Sequence, residues 1–502
     1  MIKNIIANFF GRIWGLISVF IFVPIYIRFL GIELYGLVSF FATLQSVLFL
    51  LDLGLSATLR RQFSSGEESI ENQKSKYKLL RSIEFCYLII IVLIICVTYF
   101  GAGAVVSKWL NIGNIEPDIA ITAIRLMGLS IALQFLSSLY FGGLLGLEKQ
   151  VIANVYQIGW STLKNVCVIF ILWLISPDIR LFYVWFTFVD LVYLILLRKR
   201  IKGELSVDSS YIWKLHELYN LRSIWQYASG IFIISIISAL NFQLDKIMIS
   251  KVLPISELGI YNLAFSLSQL PLILVNAAAI SIFSRFVYYY SINEINRQQT
   301  LFLLAYRILG IITISISISM CFYVQDLFLV WTGNPEITSR VWVPAIILIA
   351  GSMFLTFQIM PFNLVLSQGV TRINTFFGTL NIIILFPLLY FLVNKYGIIG
   401  AASSWLIILF MFTPFYNCYI YNKYISKDWL KWLLTDTIYP LLFVFILSFI
   451  FFSAGNIVTM NSKLRLLYAI FTGIITVTIT LLVFIKNLRS QFEFAKKEII
   501  NK

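Results

Sequence analysis

Apolar runs of about twenty residues, each bounded by charged residues, recur from Ile5 to Ile485. At 1.5 Å per residue a helix of that length crosses the roughly 30 Å of hydrocarbon in a bilayer. About fourteen such runs can be marked, the first centred near Ser18 and the last near Ile474. The pattern predicts an all-α polytopic membrane protein with about fourteen transmembrane helices. The first two runs, Ile5 to Thr58, meet at the short hinge Gly31-Ile32-Glu33-Leu34-Tyr35-Gly36, and each carries one ionisable residue at depth, Arg12 and Asp52. An ionised side chain at that depth costs roughly 2.5 to 3.5 kcal/mol on insertion scales, so it faces a protein interior or a wet cavity.

The pattern also repeats. Leu30-Gly31-Ile32-Glu33-Leu34-Tyr35-Gly36 is echoed by Ile255-Ser256-Glu257-Leu258-Gly259-Ile260-Tyr261, again between two runs. Leu147-Glu148-Lys149-Gln150 with Asn154 is echoed by Gly369-Val370-Thr371-Arg372 with Asn374. Both echoes lie about 220 residues apart, the mark of an internal duplication. The expected organisation is an N-terminal six-helix half, 1–205, and a C-terminal six-helix half, 206–428, with a basic linker at its start. Residues 429–502 add two further helices and a basic tail. Parallel halves imply a pseudo-two-fold axis along the membrane normal, with the functional cavity between them.

Composition agrees: 60% of residues are hydrophobic and only 12% charged, against about 25% charged in soluble domains. The net charge of +15 suits either nucleic acid or an anionic membrane surface, and its placement separates the two. With the N-terminus in the cytoplasm, the even-numbered connections and both tails hold about 25 of the lysines and arginines, the opposite side about 8 and the spans about 5. Arg60-Arg61 with Lys74, Lys76, Lys78 and Arg81, the stretch Arg198-Lys199-Arg200 with Lys202, and the tail from Lys486 to Lys502 are the main clusters. They read as topology signals resting on anionic headgroups, and no folded polar module exists to bind nucleic acid. Both termini are expected in the cytoplasm. The first run is too long, and too plainly lacking a small-residue cleavage pattern, to be a signal peptide.

Within the spans lie the cations Arg12, Arg125, Lys164, Lys246 and Arg307 and the acids Asp52, Asp190 and Asp245. Unpaired, these eight would cost over roughly 20 kcal/mol, so pairing or hydration must relieve most of it. Asp245 and Lys246 point to different faces of one helix, which directs each towards another helix. The surplus of cations favours an anionic solute. For each charge two readings stand: a lining of the cavity, or a fastening between helices, with snorkelling to headgroups a third for Arg12. Pro24, Pro271, Pro344, Pro361, Pro387 and Pro414 can bend helices, as can happen in any membrane helix. Trp14, Tyr26, Tyr35, Tyr156 and Trp160 are aromatics that could stack on sugars or simply meet lipid.

Much chemistry is excluded. The five cysteines lie in apolar runs without a C-x-x-C pair, and the single histidine, His216, sits in a basic loop, so neither a disulfide nor a metal site is expected. No G-x-x-x-x-G-K-[ST] phosphate loop and no Ser-His-Asp set is present. The external loops are short, the longest near Gly101 to Asp118 and Asp326 to Arg340, which leaves no room for a glycan polymerase or ligase site. No cofactor is expected, and the chain reads as a transporter and not as an enzyme.

The pattern Asn8-x-x-x-Arg12 leading to Pro24, then Leu30-Gly31-x-x-x-Tyr35-Gly36 and Leu51-Asp52-Leu53-Gly54-Leu55, resembles the polysaccharide-transport branch of the multidrug/oligosaccharidyl-lipid/polysaccharide exporter superfamily. Gly146-Leu147-Glu148-Lys149 and Glu257-Leu258-Gly259-x-Tyr261 extend the likeness over nearly the whole chain, through loose motifs of glycine, proline and aromatics. Within that branch it is most similar to Wzx-type O-antigen flippases. The resemblance implies a bacterial inner-membrane protein that moves undecaprenyl-pyrophosphate-linked oligosaccharide repeat units from the cytoplasmic to the periplasmic leaflet by alternating access. The alternatives are a glycan polymerase or ligase, or an exporter of another lipid-linked precursor or of a drug. It implies partners as well: membrane lipids, the glycan polymerase and the chain-length machinery. Arg12, Arg125, Lys164, Lys246 and Arg307 become candidates for holding the pyrophosphate or charged sugars. Asp52, Asp190 and Asp245 are candidates for ion coupling or as charge partners, and Gly31, Gly36 and Gly259 for hinges. Many relatives have twelve spans, and only Arg12 and the hinge glycines match a family pattern closely.

On this reading Arg12→Ala and Lys164→Ala reduce surface glycan while protein level stays unchanged, and Arg12→Lys or Lys164→Arg retains part of the activity. Surface-glycan blots against membrane-protein level check this, and normal glycan in both alanine variants removes the residues from the site.

Overall fold

In the computed structural model the backbone is described for residues 2–52, 54–64, 70–205, 222–425, 428–457 and 461–485, and side chains there except at 2–13, 16, 19, 70–72, 222–234 and 485. The described residues form helices throughout, with no strand. Eleven helices among them are long and apolar enough to cross a membrane. Of the three runs by which this falls short of about fourteen, one lies on the helix Arg222–Val252, which is not among the eleven, and two have a physical cause: a glycine can end an apolar run without ending the helix. Helix α1, Ile2–Leu48, passes through the hinge and is non-helical only at Gly31, with φ 77° and ψ 169°. Helix α13, Arg372–Tyr424, does the same at Gly397, with φ 60° and ψ −137°. Residues with a Cβ resist both conformations.

The chain forms two compact units, Met1–Gly259 and Ile260–Lys502. In the first, α4 (Pro117–Gly146) is central, packed by α3 (Ile70–Ala104), α6 (Ile179–Glu204) and the short α2 (Leu55–Phe63). Helix α1 lies against α5 (Gln150–Leu174) and α7 (Arg222–Val252). Leu59, Ile83, Tyr87, Phe135, Leu139 and Leu197 form the buried core. Lipid tails are as apolar as leucine, so helices in a bilayer gain by close approach, which small residues permit. A Cβ at Gly128 would fall on the Thr98 side chain, and one at Gly146 on the Arg60 carbonyl and Phe63.

One end of this unit is tied together by the echoed phrases themselves. A Cβ at Gly36 would lie 2.1 Å from the Ile255 carbonyl oxygen, and one at Gly259 lies 3.2 Å from the Gly36 nitrogen and the Ile32 oxygen. The connection after α3 closes the knot. The Ile255 amide donates to the Asn111 carbonyl at 2.8 Å, and Asn114 donates to Glu33 at 3.1 Å.

In the second unit, α12 (Pro335–Ser367) packs on α13, α9 (Leu270–Ser291) and α10 (Ile295–Phe322). Helices α15 (Tyr439–Ile457) and α16 (Ser462–Ile485) pack on α10, and α11 (Val324–Thr332) on α12 and α16. Phe286, Phe302, Ile314, Leu364 and Ile420 lie in its core.

Gly36→Val places a branched side chain where a backbone carbonyl already lies, and overpacking of this kind costs about 1–3 kcal/mol. We expect a lowered unfolding temperature in detergent, with Gly15→Ala, at a position with open space, as the neutral comparison.

Candidate functional site

The deepest polar feature of the first unit is an ion pair. Lys164 on α5 and Asp190 on α6 are 5% and 0% exposed, and the ammonium lies 2.9 and 3.0 Å from the two carboxylate oxygens. Bare burial of such a pair costs more than its Coulomb attraction returns unless the remaining lone pairs are satisfied. Here they are. The Trp160 indole N–H donates to Asp190 Oδ1 at 2.8 Å, the Gln134 amide to Oδ2 at 3.0 Å, and the Ser130 hydroxyl also to Oδ2. Gln45 on α1 donates to Gln134 at 2.7 Å, so four helices share the network. The ammonium also sits 4.3 Å from the Phe186 ring centre and 5.0 Å from that of Trp160, within cation–π range. Spacing brings these groups together: Ser130 and Gln134 are one turn apart on α4, as are Trp160 and Lys164 on α5.

The other candidate residues stand elsewhere. Asp52 ends a single 3₁₀ turn, Phe49–Asp52, ahead of the left-handed Gly54 that begins α2. Its carboxylate accepts from the Ser56 hydroxyl at 2.9 Å, the Ser56 amide at 3.4 Å and the Tyr87 hydroxyl of α3. It therefore satisfies an amide in the first turn of α2, which no helical carbonyl can reach. Asp245 and Lys246 are both buried on α7. Although neighbours in sequence, they engage each other: the Lys246 ammonium donates to the Phe242 carbonyl at 2.7 Å and lies 3.5 Å from Asp245. Arg125 is exposed, two turns into α4, with its guanidinium 4.5 Å from the Tyr99 ring centre. It takes no part in the Lys164 network. The Arg12 side chain lies outside the described residues. Gly31 is the point where α1 breaks, and Gly36 and Gly259 are points of backbone contact.

Arg307 belongs to the second unit. Its guanidinium lies 2.6 Å from Asp436, which sits 1% exposed on a π-helical turn, Leu434–Ile438. Thr435 donates to the same carboxylate, Tyr306 shares a hydrogen bond with Thr437, and the Asn417 amide donates to Tyr306. Asp436 Oδ2, Asn417 Oδ1 and Trp432 Nε1 have no hydrogen-bond partner among the described residues. Asp436 escapes a reading of hydropathy because Leu434-Thr435-Asp436-Thr437 looks like the polar edge of a run. Its one signal is Arg307, a cation in an otherwise apolar helix that needs a counter-ion. In the same unit an apolar cavity of about 360 Å³ opens between α10, α11 and α16, lined by Ile316, Met320, Leu327, Ile470, Ile474 and Val477 among others and by no member of this cluster.

Three comparisons with known proteins bear on the family and the fold. The family model described as "Polysaccharide biosynthesis protein" matches residues 1–289. A putative O-antigen transporter of Shigella flexneri is 22% identical over 414 residues, which cover 81% of this chain and 94% of that protein. Among solved structures, the lipid II flippase MurJ in an inward closed conformation aligns with a TM-score of 0.72 at 17% identity, over 97% of this chain and 100% of that one. An inward-facing multidrug resistance transporter of the MATE family aligns with a TM-score of 0.63 at 11% identity, over 82% and 95%. These likenesses to solved structures establish the fold.

The buried pair changes the expectation for Lys164. Loss of one partner strands the other charge in a low-dielectric interior, at a cost of about 3–5 kcal/mol. Asp190→Ala and Lys164→Ala should therefore each lower unfolding temperature and protein level, whereas the double variant Lys164→Met/Asp190→Leu recovers most of both. A double variant no more stable than either single one contradicts the pairing as drawn.

Proposed function

The chain belongs to the polysaccharide biosynthesis protein family, and from that premise we propose that it is a flippase for undecaprenyl-pyrophosphate-linked oligosaccharide repeat units, of O-antigen or a similar surface polysaccharide. The family match is the observation that carries the reading, and the O-antigen transporter relative and the flippase-like fold support it. In this reading the protein works by alternating access in a bacterial inner membrane, with both termini in the cytoplasm, and makes or breaks no covalent bond in its cargo. A headgroup of pyrophosphate and sugars cannot be drawn through hydrocarbon, so helices must shield it while the polyprenyl tail remains in an apolar setting. The cavity between α10, α11 and α16 offers such a setting, with seven large apolar side chains and no charged residue in its lining. Coupling to an ion gradient would use carboxylates, and one charge moved across the membrane is worth about 2.3 kcal/mol per 100 mV. Asp190 and Asp245 are buried candidates beside lysines, and Asp52 is one beside hydroxyls. The glycan polymerase and the chain-length machinery would act next on the delivered units.

Deletion of the gene in a strain that assembles such a polymer should abolish the surface polymer and leave complete lipid-linked repeat units on the cytoplasmic leaflet. Extraction and analysis of lipid-linked intermediates after protease-free leaflet labelling checks this. Single unpolymerised units attached to the outer surface would point to a polymerase instead.

A further inference from the structure

A second charged cluster lies at the basic end of the first unit, apart from the Lys164 network. Glu84 on α3 is 3% exposed yet holds two arginines. Its Oε2 meets the Arg81 guanidinium at 2.5 Å, and its Oε1 meets that of Arg198 on α6 at 2.9 Å. The Tyr140 hydroxyl of α4 donates to the same Oε1. The carboxylate is thereby saturated, while the arginine side chains remain 31% and 46% exposed. Lys202, one turn after Arg198 and exposed, is close enough to feel both guanidiniums as well as Glu84. The other carboxylate at this end of α6, Glu204, is already engaged by Lys149 at 3.0 Å and by Arg200. Three cations around one acid leave a charge of about +2 between α3 and the last turns of α6, on the side that the distribution of lysine and arginine assigns to the cytoplasm.

We propose that Arg81, Arg198 and Lys202, organised by Glu84, form a binding site for the phosphate of an anionic lipid headgroup. Each guanidinium has five N–H donors in a planar fork, and Glu84 occupies only the inner ones. The outer N–H groups and the Lys202 ammonium stay free to hold phosphate oxygens, through charge-assisted bonds stronger than neutral ones. The buried glutamate does more than offset charge: it fixes two flexible side chains in place before a ligand arrives, which lowers the entropy lost on binding. The site is independent of the flippase reading. Its ligand could be an anionic phospholipid of the bilayer or the diphosphate of a prenyl-linked cargo, which share this chemistry.

The test is a lipid titration of the purified full chain in detergent, with unfolding temperature and native mass spectrometry as readouts. The probes are phosphatidylglycerol, phosphatidylethanolamine and farnesyl diphosphate. Wild type should bind phosphatidylglycerol or farnesyl diphosphate in preference to phosphatidylethanolamine. Arg198→Gln/Lys202→Gln should bind that ligand about thirtyfold more weakly, since two interfacial cations contribute about 1 kcal/mol each. Arg180→Gln, at the other end of α6, should bind like wild type. A loss confined to phosphatidylglycerol assigns the site to bilayer lipid, and a loss confined to the diphosphate assigns it to cargo. Undiminished binding of both by the double variant, or equal binding of phosphatidylethanolamine, overturns the proposal. Arg81 and Tyr140 still hold Glu84 in the double variant. Lys202→Gln alone leaves Arg81, Arg198 and Tyr140 in place on Glu84 and should still weaken binding about fivefold, and surface glycan measured in parallel keeps the outcome separate from that of the flippase reading.

Discussion

An ionised group in a bilayer must carry its own solvent with it, and the Lys164–Asp190 pair shows how the first unit supplies one. Asp190 on α6 accepts from an ammonium and an indole of α5 and from an amide and a hydroxyl of α4, which replaces the water that a carboxylate would otherwise hold. Because the donors stand in two pairs on α4 and α5 while the acceptor stands on α6, the carboxylate also fixes the relative rotation of three helices. Gln45 extends that constraint to α1. Similar accounting holds for Arg307 with Asp436 and for Lys246 with Asp245. Of the cations expected to form one electropositive lining, Lys164, Lys246 and Arg307 are thus divided among separate ion pairs, and Arg125 rests on an aromatic ring instead.

Between these polar points the helices hold together by proximity. Gly36 and Gly259 bring backbone against backbone, and Gly128 and Gly146 admit a side chain or carbonyl where a methyl group would collide. The arrangement has a consequence for the hinge. Gly31 lets α1 change direction, but only five residues later Gly36 pins the same helix to the Ile255 carbonyl. The break at Gly31 is therefore flanked by anchors on both sides, Gly36 after it and Tyr26, which donates to Asn165 of α5, before it.

The membrane class, the helical content and the location of the break at Gly31 were all legible in the sequence, because each rests on local physics: run length, charge density and the freedom of a residue without a Cβ. The number of helices was less so, since α1 and α13 continue through glycines at which the apolar runs divide. Partners were the hardest to read. Lys164 and Asp190 are 26 residues apart in sequence and Arg307 and Asp436 are 129 apart, and no periodicity within one helix encodes which neighbour it will meet. Glu84 is harder to read for a related reason: it stands one turn inside the apolar run of α3, and its role depends on Arg198, more than one hundred residues away, as well as on the nearby Arg81.

The two buried networks differ in one respect that bears on which of them can respond to anything. Every oxygen of Asp190 is occupied, and its partners come from the interior of long helices, so a change there must break several charge-assisted bonds at once. Asp436 is different. One of its oxygens, together with Asn417 Oδ1 and Trp432 Nε1, finds no partner among the described residues, and it sits on a π-turn, where an additional residue relaxes the ordinary register of the helix. A network with spare acceptors can take up a proton or a water without first releasing Arg307, whereas a saturated one cannot. Proton uptake at Asp190 would therefore have to displace Lys164 or one of the three neutral donors, whereas at Asp436 an oxygen stands without a donor among the described residues.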